Sequence, residues 1–279
     1  WGGREKIEMG SYLNPGNKGF RESLNSAIYV DKTGLIDKMN RVLDTRQKFV
    51  CVSRPRRFGK SMAADMLAAY YDRSEDSADL FKGLAISRME SYQKHLNHYD
   101  VIKVNIQEFL SISGSVDEMT EKISAYLIFD LAECFREVRF RDEKNLMQVM
   151  KDIFSKTGRP FVILIDEWDC LFREYEQDRE AQRRYLDFLR VWLKDQEYVA
   201  LAYMTGILPI KKYGSHSALN MFTEYSMVEP GMLAEYFGFT EDEVKKLCLE
   251  YRMNFDDAKE WYDGYVLTEH GIDGDISYS

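Results

Sequence analysis

"SRPRRFGKSM", residues 53–62, is the stretch on which the rest of the reading turns. It ends in Gly59, Lys60 and Ser61, which match the close of a GxxxxGK[ST] phosphate loop. In such loops backbone N–H groups wrap the phosphates, the lysine reaches the terminal phosphates and the hydroxyl ligates Mg²⁺. Arg54 stands where the first glycine of the pattern would be. Two readings are open at this point, a nucleotide site and a solvated basic turn that contains Gly-Lys-Ser by chance. Arg56 and Arg57 are phosphate neighbours under the first reading and surface charges under the second.

The flanks bear on the choice. "KFVCVS" (48–53) is a short apolar run that reads as a buried strand. Beyond the loop, Ala63, Met66, Leu67 and Tyr70 follow the 0, 3, 4, 7 spacing of one helix face. A strand–loop–helix unit aims the positive end of the helix dipole at a bound anion. Gly59 sits where the backbone approaches that anion, where a Cβ would obstruct it. Farther along, "YDVIKVNI" (99–106), "PFVILID" (160–166) and "YVALAYMT" (198–205) read as further buried strands, with a weaker fifth in "TEYSMV" (223–228). They alternate poorly, as strands covered on both faces do. Leu146, Val149, Met150, Ile153 and Phe154 mark one intervening helix, and Tyr185, Phe188, Leu189, Trp192 and Leu193 another. Strands alternating with helices predict an α/β fold with right-handed crossovers and a doubly wound, mainly parallel five-stranded sheet.

A second motif fits the first. "FVILIDEWDC" (161–170) is an apolar strand ending in Asp166 and Glu167. At a strand tip beside a phosphate loop, an aspartate can hold Mg²⁺ through water, and an adjacent glutamate can orient and deprotonate an attacking water. Taken alone, the two carboxylates could simply open the next helix; together with Gly-Lys-Ser they favour the nucleotide site. Thr205, at the end of the strand "YVALAYMT", is a candidate sensor of the terminal phosphate or of the water, or else a plain strand end before Gly206.

Composition narrows the classes. The chain has 279 residues, 45% of them hydrophobic, enough for one large core with a small appended unit. The expected division is an α/β core over 1–228 and a helical lid over 229–279. In the lid, Thr240 and Glu243 have capping-box spacing, and Val244, Leu247, Cys248 and Tyr251 share one face. The net charge of −9 argues against direct nucleic-acid binding by this stretch. The four cysteines lie far apart and read as free thiols of a reducing compartment, so a cytoplasmic protein without membrane spans is expected. His95 and His98 complete no metal-ligand set and read as surface residues. The chain opens on Trp1, with Met9 a candidate start, and its end at "GDISYS" reads as a truncation.

"YVDKTGLI" (29–36), "SRPRRFGKSM", "LIDEWDC" (164–170), "AYMTGILPIKKYGSHSALNMF" (202–222) and "WYDGY" (261–265) together resemble the bacterial predicted AAA-ATPase-like family. The resemblance spans roughly residues 10–270. It implies a P-loop NTPase of the additional-strand, catalytic-glutamate type, with the acidic strand beyond the sensor strand as seen from the phosphate loop. That family also carries arginine in place of the first loop glycine. The implied cofactors are ATP and Mg²⁺. Arg54, Pro55, Arg56, Arg57, Phe58, Gly59, Lys60, Ser61 and Met62 would form the nucleotide loop, with Lys60 on the β/γ-phosphates and Ser61 on the metal. Asp166 would hold Mg²⁺ through water and Glu167 would be the base. Tyr29, Val30 and Lys32 would flank the adenine, and Trp261, Tyr262 and Asp263 would belong to the lid. Members often carry a downstream restriction-endonuclease-like nuclease domain. The basic residues between the sensor strand and the last strand are Lys211 and Lys212, with His216 nearby, rather than an arginine finger, so a monomer or weak oligomer is expected. Three functions follow as alternatives: an ATP hydrolase regulating an effector or partner, a slow nucleotide switch, and a nucleic-acid-associated ATPase serving a fused nuclease, in which Arg54, Arg56 and Arg57 would meet nucleic-acid phosphates.

Overall fold

The computed structural model describes residues 9–210, 218–261, 265–267 and 276–278, with side chains described up to residue 259. Lys211, Lys212, His216, Tyr262, Asp263 and the side chain of Trp261 therefore lie outside the described residues. Five strands form one sheet: β1 (Phe49–Ser53), β2 (Asp100–Asn105), β3 (Phe161–Asp166), β4 (Val199–Gly206) and β5 (Thr223–Tyr225). Their order is β2-β3-β4-β1-β5 and every pairing is parallel. This is the α/β P-loop NTPase fold expected from the sequence. β4 is the additional strand between the strand of the phosphate loop and the strand of the acidic pair, so those two strand ends meet across the tip of β4 rather than as neighbours.

The poor alternation of the strands has its cause in burial on both faces. Along β3, Phe161, Ile163 and Ile165 enter one core and Val162 and Leu164 the other. The first core is closed by the helices Val116–Cys134, Leu146–Thr157 and Arg179–Leu193. The second is closed by α1 (Lys18–Leu24), α2 (Gly34–Val42) and α3 (Lys60–Tyr71). All four apolar positions foreseen on α3 are buried, while Phe154 and Phe188 on the other face are half-buried. The exposed edge of β2 is covered by the chain before α1. Leu13 bridges Ile102 antiparallel, Asn14 N donates to Val101 O at 2.7 Å, and Asp130 accepts from Tyr12 N at 2.7 Å. Covering an edge in this way removes a template for unwanted strand pairing.

After β5 the chain makes a 3₁₀ turn (Gly231–Tyr236) and the helices Glu241–Tyr251 and Phe255–Trp261. The capping box of Thr240 and Glu243 is present. Of the four apolar positions foreseen on that helix only Cys248 is buried. The expectation of a purely helical segment is corrected, because β6 (Tyr265–Leu267) and β7 (Ile276–Tyr278) pair antiparallel. Both are short runs of aromatic and branched residues on either side of a Gly- and Asp-containing stretch, a pattern that favours strands over helix. The cysteines are free, with Cys51, Cys170 and Cys248 buried. No helix among the described residues is long and apolar enough to cross a membrane.

His95 also departs from expectation. His98 is exposed, but His95 is buried, its Nδ1 sharing a hydrogen bond of 2.8 Å with the Tyr99 hydroxyl. The His95 side chain is drawn inward because the short helix Tyr92–His95 packs Tyr92 into the core. Burial, followed by the nearby Lys94 and His98, lowers the pKa of His95 below the usual 6.5. The unfolded chain therefore binds the proton more readily than the folded one, so the contribution is present above pH ~6.5 and declines as the pH falls below it. Chemical denaturation at pH 7.5 and 5.5 is expected to show stability falling towards acid, and falling less in His95→Gln; identical slopes in both proteins would refute the assignment.

Candidate functional site

The loop between β1 and α3 owes its shape to two left-handed residues, Arg57 (φ +69°) and Gly59 (φ +76°). At Gly59 an added Cβ would meet nothing within 4 Å, so within the folded chain it is the backbone conformation that calls for glycine. Gly59 caps α3, whose first turn carries no acidic side chain to compete with an anion. Lys60 is buried and its ammonium donates back to the loop, to the carbonyls of Arg54 at 3.0 Å and Pro55 at 2.7 Å. Burial lowers the pKa of Lys60, while Glu167 and Asp166 act to raise it.

Asp166, buried at the tip of β3, is where the pieces converge. Its Oδ2 accepts from Ser61 Oγ at 2.6 Å, and its Oδ1 accepts from Thr205 Oγ1 and from the backbone N–H of Glu167 at 2.9 Å. One carboxylate thus joins the first turn of α3, the end of β4 and the turn after β3. That turn packs on bare backbone. A Cβ on Gly206 would lie 2.6 Å from both Asp169 Oδ1 and Trp168 Nε1. Asp169 is fully buried and its Oδ2 accepts from the amides of Ile207 (3.0 Å) and Leu208 (2.8 Å). Glu167 holds a positive φ of +54°, a strained backbone for a residue with a side chain, of the kind that clusters at functional sites. Its carboxylate is ion-paired with Arg173, Nη2 to Oε2 at 2.5 Å.

Of these groups Lys60, Ser61, Glu167 and Arg173 line one cleft of about 860 Å³, while Asp166, Thr205 and Asp169 are not among its lining residues; the volume falls within the ~300–1,000 Å³ range of small-molecule sites. Its polar end has Arg56, Arg57, Lys60, Ser61, Glu167 and Arg173, and its apolar end Phe20, Ile28, Tyr29, Val30, Met66 and Phe239. Phe58, Gly59, Met62 and Lys32 line it too. Arg56 and Arg57 are exposed at its rim. The loop residues from Arg56 to Met62, Glu167 and all three residues of "YVDKT" singled out above thus share a single cavity. Lys32 Nζ is bonded to Glu243 Oε2 at 2.7 Å and to the carbonyl of Glu235, which ties the cleft wall to the helix Glu241–Tyr251.

Three expected ligand residues sit elsewhere. Arg54 is fully buried beneath the loop, donating to Tyr225 O at 2.9 Å with its guanidinium 5.8 Å from the Phe237 ring centre. Arg54 and Pro55 contribute carbonyls to Lys60 rather than side chains to the cleft. Thr205 is buried behind Asp166 and outside the cleft lining, so it steadies the carboxylate instead of facing a ligand. The sequence reading missed Arg173 and the Asn105 and Gln107 side of the cleft. Arg173 lies six residues beyond Glu167, and only the fold of the turn brings the two together.

For Mg²⁺, the donor set is hard oxygen, Ser61 Oγ and the Asp166 carboxylate, already in contact at one edge of the cleft, and this fits an ion that takes oxygen ligands. No cluster of three or more metal-ligating His, Cys, Asp or Glu occurs among the described residues.

Residues 18–215 match the family described as Predicted AAA-ATPase. An uncharacterized protein encoded in the vnfD 5′ region of Azotobacter chroococcum mcd 1 is 25% identical over 256 residues, covering 88% of this chain and 46% of that protein. The chain therefore spans about half the length of this curated relative. Among solved structures, the Aeropyrum pernix ORC1 protein in complex with DNA aligns with a TM-score of 0.45 and 11% identity, over 88% of this chain and 55% of that one; a likeness at that level carries no argument about this protein. The family match covers more than half of the sequence and includes both the phosphate loop and the acidic strand, and on that ground the chain belongs to the predicted AAA-ATPase family.

Proposed function

We propose that this chain binds ATP with Mg²⁺ and hydrolyses it to ADP and phosphate. The observation that carries the reading is the contact of Ser61 with Asp166 at 2.6 Å, beside Lys60 and Glu167 on the wall of one cleft. Family membership supports nucleotide chemistry in general. A nucleotide in this cleft would place its base among Tyr29, Val30 and Phe239, and its phosphates against the N-terminus of α3.

Ser61 and Asp166 would hold the Mg²⁺ ion, which when bound supplies charge neutralisation at the phosphates. Lys60 exchanges its two carbonyl partners for phosphate oxygens, and its partial desolvation strengthens that attraction. Arg56 and Arg57 add positive charge at the rim. Glu167 orients a water and accepts its proton as the water oxygen bonds to the γ-phosphorus. The bond from that phosphorus to the bridging oxygen breaks, and its electron pair leaves with ADP. Thr205 acts indirectly, by fixing the Asp166 carboxylate through Oδ1.

We further propose that the chain after Pro230 serves as a lid whose position reports the nucleotide to an effector or a downstream domain. The ion pair of Lys32 with Glu243 supports this, because it joins the apolar end of the cleft to the base of that segment. A slower switch is the second reading, favoured by the engagement of Glu167 with Arg173.

Phosphate release from Mg-ATP is expected to fall ~10²–10⁴-fold in Glu167→Gln, with Mg-ATP binding within a few-fold of wild type. Equal turnover in the two proteins would remove Glu167 from the role of base. Thr205→Val, which removes the hydroxyl on Asp166, is expected to raise the Mg²⁺ concentration for half-maximal turnover by about 10–100-fold. An unchanged Mg²⁺ dependence would mean that Thr205 does not position the metal-side carboxylate.

A further inference from the structure

In the arrangement observed Glu167 is restrained as a base, because its Oε2 is bonded to the Arg173 guanidinium at 2.5 Å, which favours the charged carboxylate and fixes its direction. The backbone that carries this pair is firmly anchored. Asp169 is pinned by the amides of Ile207 and Leu208, and Cys170 N donates to Glu167 O at 3.1 Å. The side chain of Arg173, rather than its short helix Cys170–Glu174, is therefore the part free to rearrange. Its alternative carboxylate is Asp169, whose Oδ2 lies 3.8 Å from Nε and already accepts from two amides. Arg173 lines the polar end of the cleft with Lys60 and Ser61. A phosphate entering there would offer the planar guanidinium two oxygens at once, a bidentate pairing that arginine binds better than a single carboxylate oxygen.

We propose that Arg173 is a two-position residue for the hydrolysis inferred above. Without a terminal phosphate it holds Glu167; with one it transfers to the γ-phosphate, releasing the base and placing positive charge on the group being transferred. This makes release of the base conditional on the γ-phosphate, so ADP leaves Glu167 held. It also supplies, within the same chain, an arginine that the sequence does not offer between β4 and β5. Magnitudes decide what its removal does. Both side chains are partly exposed, at 22% and 26%, and such a pair is worth at most several-fold. An arginine acting on a transferring phosphoryl group is worth about 10³-fold or more. Loss of the second effect outweighs relief of the first.

The inference rests on the nucleotide reading, and the test separates the two. Binding of Mg-ADP and of a Mg-bound non-hydrolysable ATP analogue is measured by calorimetry, alongside steady-state hydrolysis of Mg-ATP, in wild type, Arg173→Ala and Arg173→Lys. The expected result has three parts. Arg173→Ala weakens the triphosphate analogue about 10–100-fold with Mg-ADP unchanged within about twofold. Its kcat falls on the order of 10³-fold, well beyond any change in KM. Arg173→Lys recovers part of both, since it restores the charge without the fork. Equal weakening of both nucleotides, or faster hydrolysis in Arg173→Ala, would overturn the transfer and leave Arg173 as a structural or purely restraining partner of Glu167. A wild-type chain that binds neither nucleotide would overturn the nucleotide reading itself, and this inference with it. Unchanged Mg-ADP affinity in the Ala variant also serves as the control for folding.

Discussion

A single buried carboxylate organises this molecule. Asp166 accepts hydrogen bonds from Ser61, from Thr205 and from the amide of Glu167, and so draws together the start of α3, the end of β4 and the turn after β3. A carboxylate with 4% exposure needs partners, because burying it without hydrogen bonds would be costly. Two of those partners, Ser61 and Glu167, also line the candidate cleft. Structural satisfaction and the candidate site are thus one network, and disturbing it for either purpose disturbs both.

The loop around Lys60 shows the same economy in reverse. Arg54, which replaces a glycine in the usual pattern, does not face the cleft. It fills the space under the loop, between the Tyr225 carbonyl of β5 and the Phe237 ring. A planar cation with several donors suits a site bordered by backbone carbonyls and an aromatic face. The loop is consequently braced from below by β5 and by the segment after it, so the chain beyond the sheet contributes to the shape of the polar end of the cleft. From the other side, Lys32 fastens the apolar end to Glu243. The cleft is thus tied at both ends to residues between Tyr225 and Glu243.

Much of this was legible beforehand. The four strong apolar runs became β1 to β4, and the weak run at 223–228 contributed β5 at the edge. Hydrophobic runs of that length between helical stripes have few other ways to bury both faces. Gly59, Lys60, Ser61, Asp166 and Glu167 were legible too, because motif residues lie beside elements whose ends are themselves predictable. The thiols also followed composition, and burial pushes the pKa of Cys170 up to about 12, as an inert core residue requires. His95, β6 and β7 were not legible. The first depends on how one short helix leans on the core, and the strands are too short to outweigh their helical surroundings on pattern alone.

By itself, the sequence determined the class of fold, the order in which strands and helices occur, and the two motifs at strand ends, since these follow from local periodicity and from residue types adjacent along the chain. The tertiary structure decided which side chains actually face the cleft. It turned Arg54 and Thr205 inward to support the loop and the carboxylate, and it swung Arg173 onto Glu167. Those outcomes depend on the direction in which a side chain leaves a turn with a left-handed residue at its centre, and on what packs behind it. Separation along the chain carries neither piece of information.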